Sequence, residues 1–177
     1  MAGIQTDKEK LNRTLEVVAN ILHEENINDW FIFFGTLLGI VRENSCIQGD
    51  DDLDIMINCD YQQLRSAFEK KGFIFMEGKY GIKNPDTILK SEPTQEFGSF
   101  DFYFCEVDEI QNWNMYWCGH TTITTPYKDL KQKTFNTKKW RSTILNLPHN
   151  YINKIIKMYG KNWKTPSNSQ SKLNIQI

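Results

Sequence analysis

The run Asp50-Asp51-Asp52-Leu53-Asp54 gathers four carboxylates immediately before an apolar stretch. Asp52 and Asp54 stand two residues apart, so on an extended strand both carboxylates project from one face. Leu53, Ile55, Ile57 and Cys59 then hold the opposite face against a core. Crowded acids repel one another, and some pKa values rise unless a cation neutralises them. A hard divalent ion with oxygen ligands, Mg²⁺ or Mn²⁺, suits such a group. Two such ions can clamp a phosphate and lower the pKa of an attacking hydroxyl. A third acid is wanted from a neighbouring strand. Asp101 fits, as the one charged residue within Ser99-Phe100-Asp101-Phe102-Tyr103-Phe104. Asp50 is a further candidate metal ligand, and Asp51 is expected in solvent.

Other readings of these acids carry less. A merely solvated acidic loop does not explain why Asp54 lies inside the apolar alternation. An EF-hand loop would need Gly where Ile55 stands and Glu where Tyr61 stands. Asp101 alone also fits an edge-strand charge that discourages aggregation. Upstream, Gly35-Thr36 follows an apolar run and opens a helical pattern, a geometry that offers backbone N–H groups to a phosphate. Arg42, about two turns further on, is a candidate phosphate partner. The chain has no Walker-type phosphate loop and no G-x-S-x-G element. Neither His23, His120 and His149 nor Cys46, Cys59, Cys105 and Cys118 show metal-ligand spacing.

Positioning these residues requires a scaffold. Leu11, Leu15, Val18 and Leu22 predict an amphipathic helix over 7–25, and Trp30 to Phe34 a buried strand. Tyr61 to Lys71 reads as a second amphipathic helix ended by Gly72, and Tyr151 to Tyr159 as a last one ended by Gly160. Residues 73–90 read as short strands with turns at Glu77-Gly78 and Asn84-Pro85-Asp86, and Ser99 to Val107 as an alternating strand. Tyr116 to Thr124 is read as one further strand, Lys128 to Arg141 as basic and irregular, and 167–177 as a flexible tail. The order implies one α+β domain over 1–166, a mixed β-sheet flanked by helices, with a core over 30–125 and a helical element over 147–163.

Of 177 residues, 40% are hydrophobic and the net charge is −1. That balance permits a packed core and argues against a dedicated nucleic-acid partner. The first ten residues lack a basic region followed by an apolar one, and no apolar stretch is long enough to span a bilayer. A soluble, cytoplasmic protein with reduced thiols is expected.

Phe34-Gly35-Thr36-Leu37-Leu38-Gly39-Ile40-Val41-Arg42 followed by Asp50-Asp51-Asp52-Leu53-Asp54-Ile55 resembles the signature of the LicD/fukutin family, within the polymerase-β-like nucleotidyltransferase fold. The closing Leu147-Pro148 and Tyr159-Gly160-Lys161-Asn162-Trp163 are similar to that family's terminal element. Gln48-Gly49 stand where the family often has Pro-Trp. The resemblance implies transfer of a phosphorylated alcohol, such as phosphocholine or ribitol phosphate, from a CDP-activated donor to a sugar or glycan hydroxyl. Asp52, Asp54 and Asp101 would hold Mg²⁺, with Asp50 as a further ligand and Asp101 aiding deprotonation of the acceptor. Gly35 and Thr36 would cradle the donor phosphate, and Arg42 would offset its charge. The alternatives are transfer of a nucleoside monophosphate from an NTP to a small molecule, protein or RNA, and an inactive nucleotide-binding module.

Overall fold

Leu11, Leu15, Val18 and Leu22 form a single stripe on α1 (Lys8–Glu24) of the computed structural model, and all four are fully buried. The structure describes residues 6–76, 87–109, 112–117, 121–126, 128 and 134–166. Burying each such side chain contributes about 1.5–3 kcal/mol. No side chain caps the helix at Asp7, so tertiary packing holds α1 in place.

The chain continues through β1 (Trp30–Ile32), α2 (Phe34–Arg42), β2 (Asp52–Ile57) and α3 (Tyr61–Glu69). Then come β3 (Ile88–Lys90), β4 (Ser99–Val107), β5 (Asn112–Trp117), β6 (Thr121–Pro126), β7 (Asn136–Trp140), β8 (Thr143–Leu147) and α4 (Tyr151–Tyr159). The main sheet runs β1-β2-β4-β5-β6, with β3 also paired to β4. β2 and β4 are parallel, and the other neighbouring strands are antiparallel. A parallel pair needs a long crossover; here it contains α3 and β3. The result is the mixed α+β arrangement expected from the sequence.

The parallel register sets Asp52 opposite Ser99, Asp54 opposite Asp101 and Ile55 opposite Phe102. Phe100 and Phe102 point to the other face of β4, where Phe68 of α3 meets them at ring-centroid distances of 5.6 and 5.1 Å. Phe73 joins the cluster against Phe100 at 5.2 Å. Edge-to-face contacts of this kind add to the area they bury. One face of the β2–β4 pair is therefore aromatic core, and the other carries the acids.

Three regions differ from the expected elements. Within the stretch 128–141 expected to be irregular, Asn136–Trp140 is instead the first strand of the β7–β8 hairpin, with Trp140 opposite Thr143 across a two-residue turn. The strand expected over Tyr116 to Thr124 is two strands, β5 and β6, paired from Asn112↔Pro126 to Trp117↔Thr121. The β1 strand ends at Ile32, because Phe34 takes a positive φ of 41° and turns the chain into α2. The turns expected at 77–78 and 84–86 and the tail 167–177 lie outside the described residues. Among the described residues, no helix is long and apolar enough to cross a membrane.

Candidate active site

Asp54 and Asp101 are brought side by side by β2–β4 pairing, with Asp52 two residues before Asp54 on the same face. Register also places Lys90 of β3 directly across from Asp101. Its ammonium donates to Asp52 Oδ2 and to Asp101 Oδ2, each at 2.9 Å. Asp101 is only 7% exposed, and its Oδ1 is buried with no hydrogen-bond partner among the described residues. Tyr103, next along the same face, donates its hydroxyl to Asp54 Oδ1 at 3.2 Å.

Loss of hydration and mutual repulsion set the protonation of this group. Burial first, then Asp52, raises the Asp101 carboxyl to about 7 although Lys90 opposes the shift. Burial, Asp52 and Asp101 push Asp54 well above the ordinary carboxylate range, with Tyr103 pulling the other way. Burial, Asp52 and Asp51 raise Asp50 to about 6. For Lys90, burial favours the neutral amine, but the charges of Asp101 and Asp52 outweigh it and raise its pKa.

Asp50 is held by a loop with several anchors. Thr6 N–H donates to the Asp50 carbonyl at 2.9 Å, and the buried Asn12 of α1 accepts from Cys46 N–H at 2.8 Å. Trp140 of the β7–β8 hairpin donates from Nε1 to the Asn44 carbonyl at 3.0 Å. The Asp50 carboxylate then lies over Gly35: a Cβ built there would meet Asp50 Oδ2 at 2.7 Å. Any side chain at this position would push the Asp50 carboxylate aside. The preceding Phe34 sits in the left-handed region, unusual for a bulky side chain, so the entry to α2 stores strain beside the acids.

The residues singled out in the sequence divide into two groups. Asp50, Asp52, Asp54, Asp101 and Gly35 converge at the carboxyl-bearing face. Thr36 lies with them, but it is buried and its hydroxyl accepts from Asp54 N–H at 2.8 Å, tying α2 to β2. Arg42 stands apart. Seven residues beyond Gly35, it is about 10 Å along the helix axis. Its guanidinium pairs with Glu43 at 2.5 Å and reaches the Trp163 carbonyl at 3.5 Å. Arg42 lines a cleft of about 310 Å³ with Leu38, Tyr159, Asn162 and Trp163. Tyr159 lines the same cleft and senses both groups electrostatically: burial, then Asp54 and Asp50, raise its pKa, and Arg42 opposes them.

Lys90 and Tyr103 escaped the sequence reading. Neither belongs to a motif, and only the strand register brings them to Asp101 and Asp54. Among the described residues, no three Asp, Glu, His or Cys side chains stand as a ready metal cage. The donor chemistry nevertheless fits a hard divalent ion, with oxygen ligands only and one buried carboxylate oxygen left unpartnered.

The family model for the LicD/FKTN/FKRP nucleotidyltransferase domain matches residues 27–166, spanning the acids, the α2 entry and the α4 element. The chain belongs to this family. It is accordingly a transferase enzyme of the LicD type. A lincomycin-bound lincosamide antibiotic adenylyltransferase, LnuA, is similar in fold, with a TM-score of 0.52 and 8% identity over 80% of this chain and 82% of that one. The fold is thereby that of a nucleotidyltransferase. A complex of E. coli MS115-1 CdnC with HORMA-deltaN aligns at a TM-score of 0.37 and 11% identity, over 70% of this chain and 43% of that one. No curated protein matches the sequence.

Proposed function

We propose that this LicD-family enzyme moves a phosphorylated alcohol, such as phosphocholine or ribitol phosphate, from a CDP-activated donor to a sugar or glycan hydroxyl. The supporting observation is the pairing of Asp54 with Asp101 across β2–β4, with Asp101 Oδ1 buried and unpartnered among the described residues. Asp52, Asp54 and Asp101 would hold Mg²⁺ or Mn²⁺, with Asp50 as an auxiliary ligand. The bound ion would neutralise the donor pyrophosphate and lower the pKa of the attacking hydroxyl.

The chain's own residues do the rest. Asp101, which Lys90 holds at Oδ2, takes up the proton of the acceptor hydroxyl. The freed oxygen forms a bond to the phosphorus of the phosphorylated alcohol. The bond to the bridging oxygen breaks, and CMP leaves with the electron pair. The first-turn N–H groups of α2, at Gly35 and Thr36, face donor phosphate oxygens because a helix start leaves them without intrahelical acceptors. Arg42, which lines the α2–α4 cleft and is paired with Glu43, would offset only donor charge that extends into that cleft. Chemistry of this kind is mostly positioning and electrostatic stabilisation.

A panel of CDP-alcohols and NTPs, offered with Mg²⁺ and candidate sugar acceptors, tests the reading. CMP release from a CDP-alcohol is expected. Pyrophosphate release from an NTP would replace it with the second reading, nucleoside monophosphate transfer, which the likeness to an adenylyltransferase favours.

A further inference from the structure

Lys90 is the only cationic side chain that donates to two of these carboxylates among the described hydrogen bonds. It is partly sheltered, with 23% of its side chain exposed, and the side chain of its partner Asp101 is 9% exposed. An ordinary surface pair engages one acid and is loosely held. Here a single ammonium bridges acids from two strands, and β3–β4 register fixes its base opposite Asp101.

A divalent ion joining Asp52 to Asp101 would sit between the same two oxygens that Lys90 bridges. Oxygen ligands approach Mg²⁺ at about 2.0–2.1 Å, so the ion and the ammonium exclude each other from that seat. Lys90 uses only Oδ2 of each acid. The other oxygen of Asp101 is buried and unpartnered among the described residues, and Asp101 stands beside Asp54 across the ladder.

We propose that Lys90 is a resident cation occupying the place of one of the two divalent ions that such phosphoryl-transfer centres can gather. The centre then takes one exchangeable ion per chain, which Asp54 would hold together with the oxygens of Asp101 and Asp52 that Lys90 does not use. Lys90 is a positioning residue in this scheme, and the inference rests on the metal-dependent reading above.

Mn²⁺ titration of the full chain, with free ion followed by electron paramagnetic resonance, reads the stoichiometry directly. One bound Mn²⁺ is expected for the wild type and for Lys90→Arg, and two for the neutral, similarly long Lys90→Met. Circular dichroism and melting accompany each titration. Two ions bound by the wild type would overturn the role of Lys90 and leave the metal-dependent reading standing. A natively folded Lys90→Met that still binds one ion would reduce Lys90 to a structural ion pair and also overturn it. No Mn²⁺ on any of the proteins would remove both the inference and the metal-dependent reading. Should Lys90→Met fail to fold, Lys90→Gln replaces it, and the wild-type count retains its own power to overturn.

Discussion

Asp54 lies within an apolar strand, and the neighbouring Asp52 and Asp101 make its charge unfavourable there. A neutral amide of the same shape should therefore be tolerated. Asp54→Asn is expected to fold and, without metal, to melt no lower than the wild type at pH 8. Transfer activity should fall by about 10²-fold or more, as expected when a group stabilising the transition state is lost. Parallel melting and turnover assays check this; full activity in Asp54→Asn would remove it from the active centre. Gly35→Ala makes the complementary test, because its new methyl group meets the Asp50 carboxylate rather than backbone. Rotation of Asp50 can relieve that clash, so the expected stability loss is small, about 1 kcal/mol. The displaced acid should weaken Mn²⁺ affinity several-fold, measurable by titration.

The loop between α2 and β2 relies on α1. Asn12 is 3% exposed; its Nδ2 donates to Ser45 Oγ at 2.9 Å and its Oδ1 accepts from Cys46 N–H. Asn12→Ala would leave the buried Cys46 N–H without this acceptor, at about 1–3 kcal/mol. Hydrogen exchange at Cys46 should accelerate, and metal affinity should weaken because Asp50 closes the same loop; unchanged exchange would show that Asn12 does not order it. Periodicity made α1, α3, α4 and the Asp-x-Asp strand legible in the sequence. The β7–β8 hairpin was hidden because its turn, Arg141-Ser142, contains neither glycine nor asparagine. Arg141 adopts φ 49° there while its guanidinium binds the Glu9 carboxylate at 2.7 and 2.8 Å, a tertiary contact that no local pattern announces. Lys90 was hidden for a related reason. Its partners stand 38 and 11 residues away, and only the strand pairing makes them neighbours.

Across the whole molecule, two sets of carboxyls pull the pH dependence of stability in opposite directions. Glu9 and Glu16 have lowered pKa values, from hydrogen bonds with Arg141 and Ser142 respectively. Their contribution is present above the unfolded carboxylate range and fades as acid protonates them in the fold. Asp50, Asp54 and Asp101 have raised values, so between pH 4 and about 7 the metal-free fold holds more protons than the unfolded chain. The unfolded state then binds fewer protons, and the slope of stability against pH is negative through that window. Metal-free protein should be most stable near pH 5 and lose stability towards pH 8. One pKa unit corresponds to about 1.4 kcal/mol, and 1 kcal/mol moves the melting point of a chain this long by about 2–4 °C. The raised values of Asp50 and Asp101 lie about three units in all above pH 5, so a fall of about 10 °C is expected, measurable by calorimetry in the presence of a chelator. Mg²⁺ should reverse it at pH 8, where the acids are ionised, and have little effect at pH 5, where protons compete for the same oxygens. A melting point that rises steadily from pH 5 to pH 8 without metal would mean that the acids are not crowded in the folded chain. The sign of that slope thus tests whether folding assembles the charge cluster before any ion arrives.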